Sequence, residues 1–88
     1  MERLWELYER WCMEELVSLR EFVLRVKAGE FGRFAREDMV IFLREIEANV
    51  HENIELKAME DPHLSAFKDE RMEETTQMID ELIAEWDR

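Results

Sequence analysis

Apolar residues recur along the chain at three- and four-residue intervals in three stretches, divided by two short interruptions. At about 100° per residue, Leu4, Trp5, Tyr8, Trp11, Cys12, Leu16, Leu19, Phe22, Val23 and Val26 gather on one broad face, predicting a first helix over residues 3–28. Gly29 follows as its expected C-terminal cap, because glycine takes the left-handed conformation without steric penalty. Arg25 and Lys27 occupy the last turn, where the helix dipole favours cations.

A second helix is predicted over residues 35–60, with Glu37 and Asp38 in its first turn. Its core stripe reads Met39, Leu43, Ile46, Val50 and Ile54, with Phe42 on the flank. Asp61-Pro62 then ends one helix and starts another, since Asp is a good N-cap and Pro is tolerated at the first helical position. The third helix is expected over residues 62–87, with Leu64, Met72, Thr75, Ile79, Leu82 and Trp86 along one side. Three helices of roughly equal length with short connectors predict an all-α fold, an antiparallel up-down-up bundle forming a single helical domain over residues 1–88. Self-association could complete it. The connector carries Phe31 and Phe34 beside two glycines, and these rings are expected to fold over the open end of the core.

Some apolar residues fall outside these stripes. Met13, Val17 and Leu24 lie together on the back of the first helix, and Ile41, Ala48 and Met59 do so on the second, with Leu56 beside them. A helix packed once in a monomer is polar on its back, so a second apolar stripe points to an interface. The six methionines and three tryptophans suit one, because both residue types adapt to partner surfaces. A homo-oligomer is the expectation.

Composition sharpens this picture. The hydrophobic fraction of 47% is that of a globular chain, while 40% charged residues with two glycines and one proline describe long helices with solvated outer faces. The first residues carry charge at every second or third position, so no signal peptide is expected. With one cysteine, Cys12, and no long apolar run, a cytoplasmic location is the expectation, with Cys12 as a small buried hydrophobe.

The net charge of −11 is unevenly spread. Residues 1–29 hold six acids against five bases, residues 30–59 seven against four, and residues 60–88 ten against three. A chain so acidic repels nucleic acid and anionic membranes and is drawn to basic surfaces. On the third helix Asp69, Glu70, Glu73, Glu74, Asp80, Glu81 and Glu85 cover the side opposite the core stripe. A rigid rod of spaced carboxylates could dock on an Arg/Lys-rich groove as a phosphate backbone does.

Little in the chain points to chemistry. Antiparallel folding brings Glu15, Glu47 and Thr75 level, with His51 one turn beyond Glu47, so Glu15, Glu47 and His51 are the candidate metal ligands. The competing reading is a structural polar layer in which Arg44 or Arg71 satisfies the carboxylates. Arg44 and His51 share the R-x6-H spacing of some helical RNases, but Glu45 follows the arginine here. Glu45-Ile46-Glu47-Ala48 and Asp61-Pro62-His63-Leu64 resemble segments of the encapsulated ferritin-like family. Where that family places a Glu-x-x-His pair this chain has Glu74 and Gln77, so the resemblance carries no metal chemistry. No nucleophile–base set is evident. The expectation is a non-enzymatic protein without a cofactor that binds a basic macromolecular partner, as an adaptor or as an inhibitor of a nucleic-acid-handling protein. Metal binding at the mid-bundle layer and a purely structural homo-oligomer are the alternatives.

Overall fold

The structure is a computed structural model that describes residues 3–88. Among these residues the chain is all helical: α1 (Arg3–Tyr8), a π-helical segment (Glu9–Glu14), α2 (Leu19–Lys27), α3 (Arg36–Glu60), α4 (Pro62–Ser65) and α5 (Lys68–Asp87). No helix is long and apolar enough to cross a membrane among the described residues.

The frame is an antiparallel hairpin of α3 and α5. Arg36 binds Asp87 at 2.6 Å, Arg44 binds Asp80 at 2.9 Å, and His51 Nε2 lies 3.0 Å from the Met72 carbonyl. These pairs step in opposite directions along the two helices, which fixes the register. Asp38 opens α3 by accepting from the Ala35 N–H at 3.1 Å. Asp61 opens α4 by accepting from the His63 N–H at 2.9 Å, and Pro62 occupies the first helical position.

The stretch expected to form one helix over residues 3–28 does not. Tyr8 and Phe22 meet with ring centroids 6.2 Å apart, and the Arg25 guanidinium lies 5.6 Å from the Trp11 ring centroid. In a straight helix residues at these spacings would be separated by about 21 Å along the axis. The chain instead folds back between Glu15 and Ser18. The preceding segment widens to a π-helical turn, with the Glu15 N–H donating to Arg10 O at 3.1 Å and Val17 N–H to Trp11 O at 2.9 Å. Leu16 takes a left-handed φ of 58°, and the Ser18 hydroxyl then caps α2 by accepting from the Glu21 N–H at 3.1 Å. A non-glycine residue in that conformation costs about 1–2 kcal/mol. No glycine or proline lies between Met1 and Ala28, so the break rests on the π-helical turn, the Ser18 cap and packing on the rest of the fold. The end of α2 follows expectation. Gly29 has φ 87°, the Gly29 N–H donates to Val26 O and the Glu30 N–H to Arg25 O, closing the helix with a Schellman motif.

An up-down-up bundle of three long helices is therefore not what forms. The folded-back segment covers only the end of the hairpin where α3 begins and α5 finishes. There Leu4, Phe22, Val23, Val26, Met39, Phe42, Leu43, Ile46, Ile79 and Leu82 are buried together. Phe42 receives edge-on contacts from Trp5, Tyr8 and Phe22 at centroid distances of 5.3, 5.6 and 5.9 Å. Phe31 closes the end by lying against Trp11 at 5.6 Å and Phe22 at 6.0 Å, and Phe34 also packs on this core. Lys27 Nζ donates to the carbonyls of Glu85 at 3.0 Å and Arg88 at 2.6 Å, placing a cation at the C-terminal end of α5.

Beyond Ile46 the hairpin continues with no third layer among the described residues. The α3 side that carries Met39, Phe42 and Ile46 continues as Asn49, Asn53 and Lys57, all exposed. The side of α5 that carries Ile79 and Leu82 runs back through Thr75 and Arg71 toward Lys68. Polar residues thus appear where the cover stops. The molecule measures 44 × 26 × 21 Å, and its radius of gyration of 14.3 Å exceeds the roughly 12 Å of a compact domain this long. The helix expected over residues 62–87 is also interrupted, with Ala66 and Phe67 separating α4 from α5.

Candidate functional site

The outer side of α5 is the candidate interface. Asp69, Glu70, Glu73, Glu74 and Glu81 are all exposed and, among the described residues, make no ion pair. The other two acids of the expected track are used within the fold. Asp80 pairs with Arg44, while Glu85 is half-buried and receives Arg20 at 3.5 Å and Arg88 at 3.1 Å. Asp80 sits on the edge of α5 that faces α3, and Glu85 on the edge that faces α2. The five remaining carboxylates stay exposed, with Glu81 beside the start of α2. Glu70 and Glu81 are eleven positions apart, about 16 Å along a straight helix.

A shallow groove of about 610 Å³ borders this face, between the start of α2 and the last turns of α5. It is lined by Leu19, Met78 and Leu82, with the charged Arg20, Arg88, Glu81 and Glu85 around them. Both cations pair with Glu85, so the groove is nearly balanced in charge where the neighbouring stripe is not.

The proposed metal ligands are not brought together. Glu15 is exposed in the break between the π-helical turn and α2. Glu47 accepts from Arg44 at 3.2 Å, and the same guanidinium reaches Asp80, so hydrogen bonds to both acids hold the Arg44 pKa above its usual value. His51 faces α5, its Nε2 at 3.0 Å from the Met72 carbonyl and 3.4 Å from the Thr76 hydroxyl. The carbonyl can only accept, which places the imidazole proton on Nε2. Thr75, expected at the level of Glu15 and Glu47, donates to the Arg71 carbonyl on its own helix at 3.0 Å. No group of three His, Cys, Asp or Glu side chains among the described residues could hold a metal ion. Of these residues, His51 and Arg44 tie α3 to α5, whereas Glu47 and Thr75 bond within their own helices.

The apolar stripe assigned to the back of the first helix is divided by the break. Met13 is 64% exposed, whereas Val17 is half-buried against the core and Leu24 is half-buried on α2. Leu16, placed on the core face by its spacing, is 85% exposed. On α3, Ile41, Leu56 and Met59 are exposed as their position on the back of the helix implies. Cys12 is half-buried beside the core with its thiol 3.9 Å from the Ser18 carbonyl, and burial pushes its pKa up to about 11. The thiol therefore stays neutral and behaves as a small hydrophobe.

Comparison with protein-family models, with curated proteins and with solved structures returned no match.

Proposed function

We propose that this protein is a non-enzymatic interaction module that binds a basic macromolecular partner through the outer face of α5. It would act as an adaptor or as an inhibitor of a nucleic-acid-handling protein, with the carboxylates occupying a groove made for phosphates. The observation that carries this reading is the division among the α5 acids. Asp80 and Glu85 are tied into the fold, while Asp69, Glu70, Glu73, Glu74 and Glu81 stay exposed without an ion pair among the described residues. Like charges at neighbouring positions of a helix cost a few tenths of a kcal/mol per pair, and an opposing basic surface relieves that repulsion.

Binding to an arginine-rich peptide, measured at low and high salt beside a lysate pull-down, tests the reading. Reversal of Glu70, Glu73, Glu74 and Glu81 to lysine should weaken capture at least tenfold and flatten its salt dependence, with the thermal melt unchanged. Equal capture by the wild type and the quadruple variant removes the acidic face from the function. Self-association is the second reading, favoured by the exposure of Met13 and Leu16 beside the break.

A further inference from the structure

We propose that residues 3–28 straighten at the Glu15–Ser18 break into one continuous helix, and that a second copy of this chain receives the released N-terminal segment. The two copies then exchange α1 and the π-helical turn, each placing Leu4, Trp5, Tyr8 and Trp11 on the core of the other. This deepens the self-association reading and is independent of the acidic face of α5.

Several independent observations converge on it. The apolar spacing from Leu4 to Val26 runs through the break in a single helical phase, with no glycine or proline to interrupt it. The break itself is held in an unfavourable conformation, with Leu16 at φ 58° and 85% exposed. It also creates two helix ends whose terminal carbonyls and N–H groups lack regular partners. Straightening pairs those groups with one another. Glu15 and Val17, which now donate to Arg10 and Trp11, regain donation four residues back, and Leu16 returns to a right-handed conformation.

The contacts made by the moving segment can all be remade on another chain. Trp5 Nε1 donates to Glu45 at 3.3 Å, Trp5 and Tyr8 lie edge-on to Phe42, and Trp11 lies against Phe31 and Arg25. Every one of these partners lies beyond the break. Exchange of an element across a short strained hinge is a low-cost route to a dimer. In the straight helix Met13, Val17 and Leu24 come onto one stripe, where the hinge regions of the two copies can cover one another.

The test is the molar mass in solution of the wild type and two hinge variants, after incubation at high concentration. Leu16→Gly removes the penalty of the broken form and should lower the dimer fraction several-fold. Leu16→Ala combined with Ser18→Ala removes the α2 cap, favours the continuous helix, and should raise it several-fold. Exchange is separated from surface pairing in a Cys12→Ser background by mixing chains carrying Trp5→Cys with chains carrying Glu45→Cys. A short thiol-to-thiol cross-linker then joins the two kinds of chain only if residue 5 of one reaches residue 45 of the other. If Trp5→Cys fails to fold, the hinge variants decide alone. Equal dimer content in all three proteins, or a dimer in which the two kinds of chain fail to cross-link, overturns the proposal.

Discussion

The two ends of the α3–α5 hairpin are built on the same helices and held by different means. At the end where α3 begins, Phe22, Val23, Met39 and Leu43 are fully buried under the folded-back N-terminal segment, and Lys27 and Arg36 grip the last turn of α5. At the other end, Met59 is 81% exposed, Phe67 is 56% exposed, and Leu56 and Leu64 are also open to solvent. α3 runs unbroken through both halves, so the difference lies in the third layer. Where a third segment covers the hairpin, the facing positions are apolar. Where it stops, they become Asn49, Asn53, Lys57 and Thr75. Most helical stability in proteins comes from packing of an apolar face, so the covered end should hold the fold together.

The sharpest way to break this comparison is to remove one large side chain from each end. Phe42→Ala should cost about 3–5 kcal/mol, the usual range for deleting a buried phenyl ring. For a chain whose total stability is on the order of 4–13 kcal/mol, that loss brings the protein close to unfolding at ambient temperature. Met59→Ala should stay within about 0.5 kcal/mol, because the side chain is already in water. Paired urea denaturation curves measure both. Comparable losses from the two substitutions would mean that Met59 is covered in solution, as by a second molecule.

Hydrogen exchange sharpens the same contrast without mutation. Amides of Val23, Leu43, Ile46 and Ile79 should exchange only through global opening, while those of residues 52–60 and 68–74 should exchange through local fraying. A gap of at least tenfold in protection, equivalent to about 1.4 kcal/mol, is expected between the groups. Uniform protection would show that the hairpin opens as one unit.

The hydrophobic pattern made the helical class legible, and the start of α3, the Asp61-Pro62 boundary and the Gly29 cap followed from local chemistry. It also placed Phe31 and Phe34 over the end of the core. It failed at the first helix, for a physical reason. Period alone reports which residues share a helical face, and Leu4 through Val26 share one whether the helix is straight or folded. A sequence signal for the break does exist, since Ser18 and Glu21 have the spacing of an N-terminal cap, and the Ser18 hydroxyl makes that bond. Continuous apolar spacing outweighed it. The same straight helix put Glu15 level with Glu47 and Thr75, so the candidate grouping of Glu15, Glu47 and His51 depended on the missed turn. Of the seven acids expected on the outer side of α5, six are exposed and Glu85 is half-buried. Nothing in the spacing of Asp80 and Glu85 distinguishes them from their neighbours, because their roles depend on Arg44 and Arg20, which lie on other helices.

The smallest effect concerns how the covered end is clamped. Arg36 makes a two-bond contact to Asp87, with Nε at 2.6 Å and Nη2 at 2.9 Å from the two carboxylate oxygens. Hydrogen bonding to Arg36 holds the Asp87 carboxyl below its ordinary value of 3.8 and raises the guanidinium. A carboxyl with a depressed pKa in the folded state contributes stability that is present above 3.8 and lost as pH falls through the folded value. Both groups are at the surface, so the contribution is small and screened by salt. Asp87→Asn should therefore lower the melting temperature slightly at neutral pH and low salt. That deficit should shrink as pH falls through the range where the wild-type carboxyl takes up its proton, because both proteins then present a neutral side chain to Arg36. A deficit that persisted undiminished in strong acid would assign the effect to helix-end packing and leave Lys27, bonded to the carbonyls of Glu85 and Arg88, as the principal clamp on α5.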